Sequence, residues 1–338
     1  MCKYTSLLCL LLSLCLLSCN SSNKTESSEV YSNFAIKDTS NIVKFRISDT
    51  ENNSIVISRE NNNVWMIENS GFMARSYNVN LILETFHRIK VKQDVPNKGL
   101  DNLLTSLSVR HKKVEIYTKG NNQAIKTWYI GNATQDHLGT YMLLQVGKNK
   151  SIKPFITHKP GVNGSLDVRF FTSWIDWKSS SVFSYNNPYD IKSISIDFND
   201  TKQESYLVKR NTDSTVSLFD GNKNIISYFD SSAVAHYFTH YRKIHYNRIE
   251  VAKLGVKDSI FSLNCNRRIK LKDINNNVID VELWNIKMPN DYYDNNGLPL
   301  NWDPEHAYIR INSGNELYRI QYFSWGILFK PLSFYLPK

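Results

Sequence analysis

The order of predicted secondary-structure elements occurs twice along this chain, and the repeat constrains the fold more than any other feature. IVKFRIS from Ile42 and IKSISID from Ile191 both alternate apolar and polar residues, as strands with one buried face do. A second alternating segment follows each of them, SIVISRE in the first half and SYLVKRN in the second. The offset between the first strands is 191 − 42 = 149 residues.

An amphipathic helix is predicted next in each half. Apolar residues recur at helical spacing over residues 79–89, after the capping candidate Asn78, and over residues 234–244, after Asp230, Ser231 and Ser232. A hairpin follows each helix, in KVEIYTKGNNQAIKTWYIG and in RIKLKDINNNVIDVELWNI. The turns GNN and NNN suit a tight hairpin because Gly and Asn tolerate a positive φ.

These segments predict an α+β fold made of two tandem related units. Each unit is expected to be a mainly antiparallel sheet with one packed amphipathic helix. The length of 338 residues agrees with two cores, because single hydrophobic cores stop growing beyond about 250–300 residues. The predicted domains are a signal peptide over residues 1–18, a flexible tether over 19–33, and repeat units over 34–186 and 187–338.

The N-terminus, MCKYTSLLCLLLSLCLLSC, has the pattern of a signal peptide. Lys3 is followed by an apolar stretch over residues 7–17, which is too short to span a bilayer as a stable helix. The tetrapeptide that ends at Cys19 resembles the bacterial lipobox, with Leu17 bulkier than usual at its position. We therefore expect cleavage before Cys19 and acylation of its thiol, which attaches the chain to membrane lipid on the periplasmic side or at the cell surface.

The remaining cysteine and the charge narrow the functional classes. The cysteines are Cys2, Cys9, Cys15, Cys19 and Cys265, so cleavage and acylation leave Cys265 alone, without a disulfide partner and best interpreted as a small buried hydrophobe. The formal net charge of +10 is spread over short basic runs. A solvated basic face is the default interpretation, attraction to an anionic surface or glycan is the sharper one, and nucleic acid does not suit an exported protein.

The stretch GNATQDHLGTYMLL (131–144) supplies the most specific motif. Its pattern is G-x-x-T-x-x-x-x-G-T-Y, at Gly131, Thr134, Gly139, Thr140 and Tyr141. With the order of the neighbouring strands, this motif resembles a family of bacterial lipoproteins labelled as domain of unknown function 4340. The resemblance covers residues 34–185 and implies an exported, β-rich protein, with some relatives accompanying gliding-type or ABC-type transport systems. It implies no catalytic residues.

The same stretch also offers a catalytic hypothesis, in Asp136 and His137. Adjacent residues on a strand point to opposite faces, so this pair needs a turn and a third group to orient the imidazole. His158 and the group Asp303, Glu305 and His306 are the nearest candidates for such help or for a second ligand set. The favoured interpretation is a polar turn, and we predict no catalytic residue, no metal site and no cofactor.

The segment 285–305 is the favoured binding surface. It is predicted to be a long loop and concentrates the candidate ligand-binding residues Tyr292, Tyr293, Trp302 and Asp303. We expect a non-catalytic scaffold, adaptor or binding subunit of the cell envelope that contacts an envelope protein. The alternatives are a glycan-binding lipoprotein that uses this loop and, third, a hydrolase.

Overall fold

A computed structural model describes residues 30–60, 63–251, 255–289, 292–294 and 296–337. The chain divides into two compact units, which meet at Ser179 and Ser180. The predicted signal peptide and Cys19 lie outside the described residues. Within the described ranges, no helix combines the length and apolar character that crossing a membrane requires.

Unit 1 is built on an antiparallel sheet. Its described strands are β1 (Ile42–Asp49), β2 (Ser54–Arg59), β3 (Trp65–Ile67), β4 (Phe72–Met73), β5 (Lys90–Asp94), β6 (Lys112–Thr118), β7 (Lys126–Ala133), β8 (Thr140–Val146), β9 (Asn149–Lys150) and β10 (Phe155–His158). The order across the sheet is β4-β3-β2-β1-β6-β7-β8-β10-β5, and β9 pairs with β8. The predicted hairpin β6–β7 is confirmed, with Val114 opposite Trp128 and Gly120 at a positive φ.

The helices of unit 1 differ from the prediction of a single helix. They are α1 (Ser76–Arg88), α2 (Leu100–Val109) and α3 (Trp174–Trp177). In α1, Val79, Ile82 and Phe86 are buried in the core, as their spacing predicts. Asn78 is not the cap of α1: it lies in the first turn, and its side-chain amide donates to the carbonyl of Asp176.

Unit 2 has a sheet of the same kind. Its described strands are β11 (Ser181–Phe183), β12 (Ile191–Phe198), β13 (Tyr206–Arg210), β14 (Val216–Asp220), β15 (Ile225–Ile226), β16 (Ile244–His245), β17 (Arg248–Ile249), β18 (Arg267–Asp273), β19 (Val278–Lys287), β20 (Trp302–Ile311) and β21 (Tyr318–Gln321). The order across the main sheet is β15-β14-β13-β12-β18-β19-β20-β21-β17, and β11 pairs separately with β16. The predicted hairpin β18–β19 is confirmed, with Asn276 at a positive φ in its turn.

The helices of unit 2 are α4 (Ser231–Tyr237), α5 (Val256–Phe261) and α6 (Tyr322–Trp325). Of the three polar residues named before this helix, Asp230 is the cap, since its carboxylate accepts the N–H of Ala233, and Ser231 and Ser232 lie within α4. The predicted helix over residues 234–244 is too long. The α-helix ends at Tyr237, a 3-10 helix continues over Phe238–Arg242, and Ile244 belongs to β16.

The two main sheets have the same strand order when their strands are counted from the first long strand of each unit, β1 or β12, with β9, β11 and β16 left out. In both, this strand is the fourth of nine, its two neighbours are the second long strand and the strand after the helices, and the last edge is a short strand, β5 or β17. Each sheet buries an apolar face on its own helix, with Phe45 and Trp128 in one core and Ile194 and Leu271 in the other.

Two predicted boundaries differ from the structure. The units meet before residue 180 rather than at 186/187, because β11 pairs with β16 and the N–H of Tyr185 donates to the carbonyl of Tyr241. Residues 30–33, predicted to be part of the tether, are ordered as well. Residues 30–32 are helical, and the ammonium of Lys126 donates to the carbonyl of Asn33 at 2.6 Å.

Candidate functional site

The motif around residue 137 is a turn between β7 and β8. The N–H of Thr134 donates to the carbonyl of Gly139 at 2.9 Å, and the N–H of His137 donates to the carbonyl of Thr134 at 2.9 Å. His137 itself takes a left-handed conformation with φ of 55°. The carboxylate of Asp136 accepts the hydroxyl of Thr134 and the N–H of Leu138, and these bonds hold the pKa of that carboxyl below its ordinary value.

Close packing explains both glycines of the motif. A Cβ on Gly139 would lie 2.5 Å from Cγ2 of Ile156, and a Cβ on Gly131 would lie 2.5 Å from Cδ2 of Leu107. Such distances are well inside van der Waals contact, so neither site has room for a side chain. The glycines therefore allow the turn and the strand before it to pack against their neighbours.

The threonines of the motif satisfy buried backbone groups. The Thr140 side chain is fully buried, and its hydroxyl accepts the N–H of Leu166 at 2.8 Å. The carbonyl of Thr140 accepts the hydroxyl of Thr157 at 3.0 Å. Tyr141 and Thr134 line a cavity of about 330 Å³ beside the turn. The motif thus joins β8, β10 and the 165–167 segment through hydrogen bonds that satisfy buried polar groups, and a structural role is enough to explain these residues.

The structure does not assemble a catalytic group around His137. Asp136 is engaged by the turn and lies 3.7 Å from the ammonium of Lys92, and the His137 ring forms no hydrogen bond with a described residue. His158 lies at the end of β10, where it pairs with Lys90 on β5. Among the described residues, no group of three His, Cys, Asp or Glu side chains has the arrangement of a metal site.

The 285–305 segment, predicted to be a loop, continues the β19–β20 hairpin. The N–H of Met288 donates to the carbonyl of Asn301, and the N–H of Leu300 donates to the carbonyl of Tyr292. Tyr293 pairs with Pro299, and the carboxylate of Asp294 accepts the N–H of Leu298 to close the tip. These backbone contacts join the two arms of the hairpin in the part of it that the structure describes.

Large apolar side chains are exposed along this hairpin. Tyr292, Tyr293 and Trp302 are 54%, 57% and 49% exposed, and Leu298 is exposed between them in sequence. Phe323 of α6 is fully exposed. Because Gln321 pairs with His306, Phe323 lies at the same end of the sheet as Trp302. We refer to Tyr292, Tyr293, Leu298, Trp302 and Phe323 as the aromatic surface.

Asp303, predicted to bind ligand, is engaged within the protein. One carboxylate oxygen accepts the N–H groups of Glu305 and His306 at 2.8 and 2.9 Å, and the other lies 3.3 Å from both the Arg319 guanidinium and Nδ1 of His306. Burial raises the pKa of Asp303, but the backbone N–H groups of Glu305 and His306, together with the His306 side chain, outweigh burial and hold the pKa below its ordinary value. The carboxylate organises the bulge after Trp302, which is where the exposed hairpin leaves the sheet.

The sequence analysis missed Arg319 and Glu250, which complete the network of charged groups around Asp303. Arg319 lies on β21 and also approaches Glu250, at 3.8 Å, while Glu250 accepts the guanidinium of Arg248 at 2.8 Å. Arg319 could have been predicted from its position on the strand next to β20. That prediction needs the register between β20 and β21, which one sequence does not show. Cys265 is buried, and burial raises the pKa of its thiol, which disfavours the reactive thiolate.

Two comparisons with known proteins, one with family models and one with curated proteins, gave no match for this chain. The resemblance to domain of unknown function 4340 therefore remains a hypothesis that rests on the residues of the turn motif and the strands around it.

Proposed function

We propose that this protein is an acylated lipoprotein of the bacterial cell envelope that acts as a non-catalytic scaffold, adaptor or binding subunit. The N-terminal signal pattern that ends at Cys19 supports the anchor. The aromatic surface supports the binding role, and it is the single observation that carries it. Exposed Tyr and Trp side chains on a hairpin resemble the hot spots of protein interfaces, which are rich in these residues.

The partner proposed first is another envelope protein. Exposed apolar patches mark interaction sites, and here Trp302 and Phe323 lie at the same end of one sheet, from which the hairpin that carries Tyr292, Tyr293 and Leu298 extends. The N–H of Leu300 donates to the carbonyl of Tyr292 across the hairpin, and a segment with such bonds loses less entropy on association than an unbonded loop. Membership of the 4340 family and a place in a transport or gliding-type assembly remain part of this proposal.

We further propose that the two units arose by duplication. The shared strand order supports this, and so does an arginine at the end of the second strand of each unit. Arg59 donates to the carbonyl of Ser40, and Arg210 donates to the carbonyl of Pro188, each in the 3-10 helix before the first long strand. Their offset of 210 − 59 = 151 residues matches the offsets of the strands.

The anchor is tested by Cys19→Ala in the full-length chain. We expect the wild type in the membrane fraction and the variant released from it, because the acyl chains cannot be attached without the thiol. Fractionation followed by immunoblotting measures the distribution, and Cys265→Ala is the matched control that should stay with the membrane. A Cys19 variant that remains acylated or fully membrane-bound contradicts the proposed anchor.

The aromatic surface is tested by the triple variant Tyr292→Ala, Tyr293→Ala and Trp302→Ala. Crosslinking in cells should yield a discrete adduct with the wild type, and the variant should lose about tenfold or more of it, since one hot-spot residue alone is worth about 2 kcal/mol. Tyr77→Ala with Tyr228→Ala, which removes exposed aromatic side chains elsewhere, is the control. Equal adducts from both variants would place the partner site outside the aromatic surface.

A glycan is the second candidate ligand. Trp302 favours it, because an exposed indole beside two tyrosines offers flat apolar faces on which sugar rings can stack. The same triple variant separates the candidates. Loss of retention on insoluble polysaccharide, with crosslinked adducts unchanged, assigns the surface to glycan, and the reverse result assigns it to protein.

A further inference from the structure

Two loops of unit 1 form a surface that the proposed function does not use. They are residues 94–100, between β5 and α2, and residues 147–155, between β8 and β10. Together with Tyr31 they line a cavity of about 710 Å³. We call these two loops the Ile152 surface.

An apolar side chain is held in solvent at the tip of this surface. Ile152 is 87% exposed. The neighbouring Ser151 is buried, its N–H donates to the carbonyl of Leu144, and its hydroxyl donates to the carbonyl of Lys153 at 2.6 Å. These bonds fix the backbone on both sides of Ile152, so its exposure is a property of the folded loop. Val95, Pro154 and Phe155 add apolar walls to the cavity beside it.

The two loops of the Ile152 surface carry more positive than negative charge. The two loops contain Lys98, Lys148, Lys150 and Lys153, and Asp94 supplies their one carboxylate. All four lysines are exposed. Among the described residues none of them forms a salt bridge, in contrast to Lys92 on β5, which lies 3.7 Å from Asp136. Lys153 donates only to the neutral side chain of Asn97.

The chemistry of this surface fits an anionic lipid better than a protein. Lysine is depleted in protein interfaces, whereas lysines close to a membrane surface are attracted by anionic headgroups, and a neighbouring apolar side chain gains by entering the bilayer interface. Electrostatic attraction between a basic patch and anionic lipids adds to the binding of a protein at a membrane surface.

We propose that the Ile152 surface docks on a bilayer that contains anionic phospholipid, with Ile152 entering between the headgroups and Lys98, Lys148 and Lys153 contacting phosphates. The location of this surface near a membrane rests on the acyl anchor proposed at Cys19. Residues 20–30 separate Cys19 from Tyr31, and an extended chain of that length reaches about 40 Å, which brings the surface within range of the membrane that holds the acyl chains. Docking would orient unit 1 on the bilayer.

The experiment measures vesicle binding by the chain from residue 20 onward, which carries no acyl group. Vesicles of phosphatidylcholine with phosphatidylglycerol should sediment the protein, vesicles of phosphatidylcholine alone should not, and salt should weaken the binding. The variant Lys98→Glu, Lys148→Glu and Lys153→Glu should bind at least about tenfold more weakly. Ile152→Ser should bind severalfold more weakly at unchanged charge.

Matched controls exist on other exposed sites. Lys37→Glu with Lys119→Glu and Lys192→Glu makes the same change of charge elsewhere, and Ile225→Ser removes another exposed isoleucine. All these positions are exposed, so circular dichroism and thermal melting should match the wild type. Equal loss of binding by the charge control, or equal binding to neutral vesicles, overturns the proposal. Because no acyl group is present, this result is independent of the fate of the Cys19→Ala variant.

Discussion

Gly139→Ala is expected to destabilise unit 1 by about 1–3 kcal/mol, although the change adds a single methyl group. The methyl carbon would lie 2.5 Å from Cγ2 of Ile156 and 3.3 Å from Cγ2 of Thr134. Ile156 cannot move aside easily, because it is buried, its β-branched side chain is restricted at χ1, and β10 pairs on both sides, with β8 and β5. Chemical denaturation followed by circular dichroism measures the loss.

A double-mutant cycle with Ile156→Ala identifies the cause. Truncating Ile156 removes the atom that would collide, so Gly139→Ala should cost much less in that background than in the wild type. Gly326→Ala is the control, because a methyl group there would meet no atom within 4 Å and the φ of Gly326 is not positive. If Gly139→Ala costs the same with and without the Ile156 side chain, close packing is not the reason for this glycine.

The strands could be predicted because their side chains alternate with the period of a half-buried sheet. IVKFRIS places Ile42, Phe45 and Ile47 in the core, with a register shift after Ile42 that accounts for the one irregular step. The hairpin turns could be predicted for a related reason, since Gly120 and Asn276 stand where the backbone needs a positive φ. Both signals are local, and both act within a few residues of the element that they define.

The helices were predicted less well because their signals are weaker or ambiguous. Helix α2 begins after Gly99, which has a left-handed φ and no side chain that could cap the helix. Leu107 is the one buried residue of α2. A helix with so little buried surface gives no clear apolar periodicity. Ile244 fits the helical spacing of residues 234–244, but its pairing in β16 with Phe183 is set by a strand more than fifty residues earlier in the chain.

In the candidate site as well, residue types could be read from the sequence, but contacts between strands could not. The aromatic side chains of the 285–305 segment could be selected by residue type, but the backbone ladder that orders them depends on bonds such as that from Met288 to Asn301. Asp303 was selected as a ligand-binding residue for the same reason of residue type. Its actual partners include Arg319, sixteen positions away on a neighbouring strand, and that contact depends on the strand register.

Asp303→Ala should lower the free energy of unfolding of unit 2 by about 3 kcal/mol. The substitution removes two charge-assisted hydrogen bonds, which contribute about 1.5–3 kcal/mol each when a partner is charged, and part of that is recovered by water. It also removes one of the two carboxylates near the Arg319 guanidinium, which then keeps only the contact with Glu250 at 3.8 Å. The buried Nε of Arg319 has no hydrogen-bond partner among the described residues. Amide hydrogen exchange over residues 302–321, with denaturant titration, measures the effect.

The pH dependence of the same network distinguishes charge from packing. The folded-state pKa of Asp303 lies below its ordinary value, so its ionised form adds stability above that ordinary value, and the added stability is lost as the pH falls through the folded-state pKa. The stability difference between wild type and Asp303→Asn should therefore be full near neutral pH and shrink in acid. Asp213→Ala, which removes an exposed carboxylate that accepts the N–H of Thr215, is the control and should cost clearly less than Asp303→Ala. If the stability lost by Asp303→Ala is no greater than that lost by Asp213→Ala, the hydrogen bonds and ion pairs of Asp303 do not hold the base of the hairpin over residues 285–305.

Asp303 directly follows Trp302. If Asp303→Ala lowers the stability as expected, it should therefore also increase hydrogen exchange at the amides of this hairpin and reduce crosslinking through the aromatic surface.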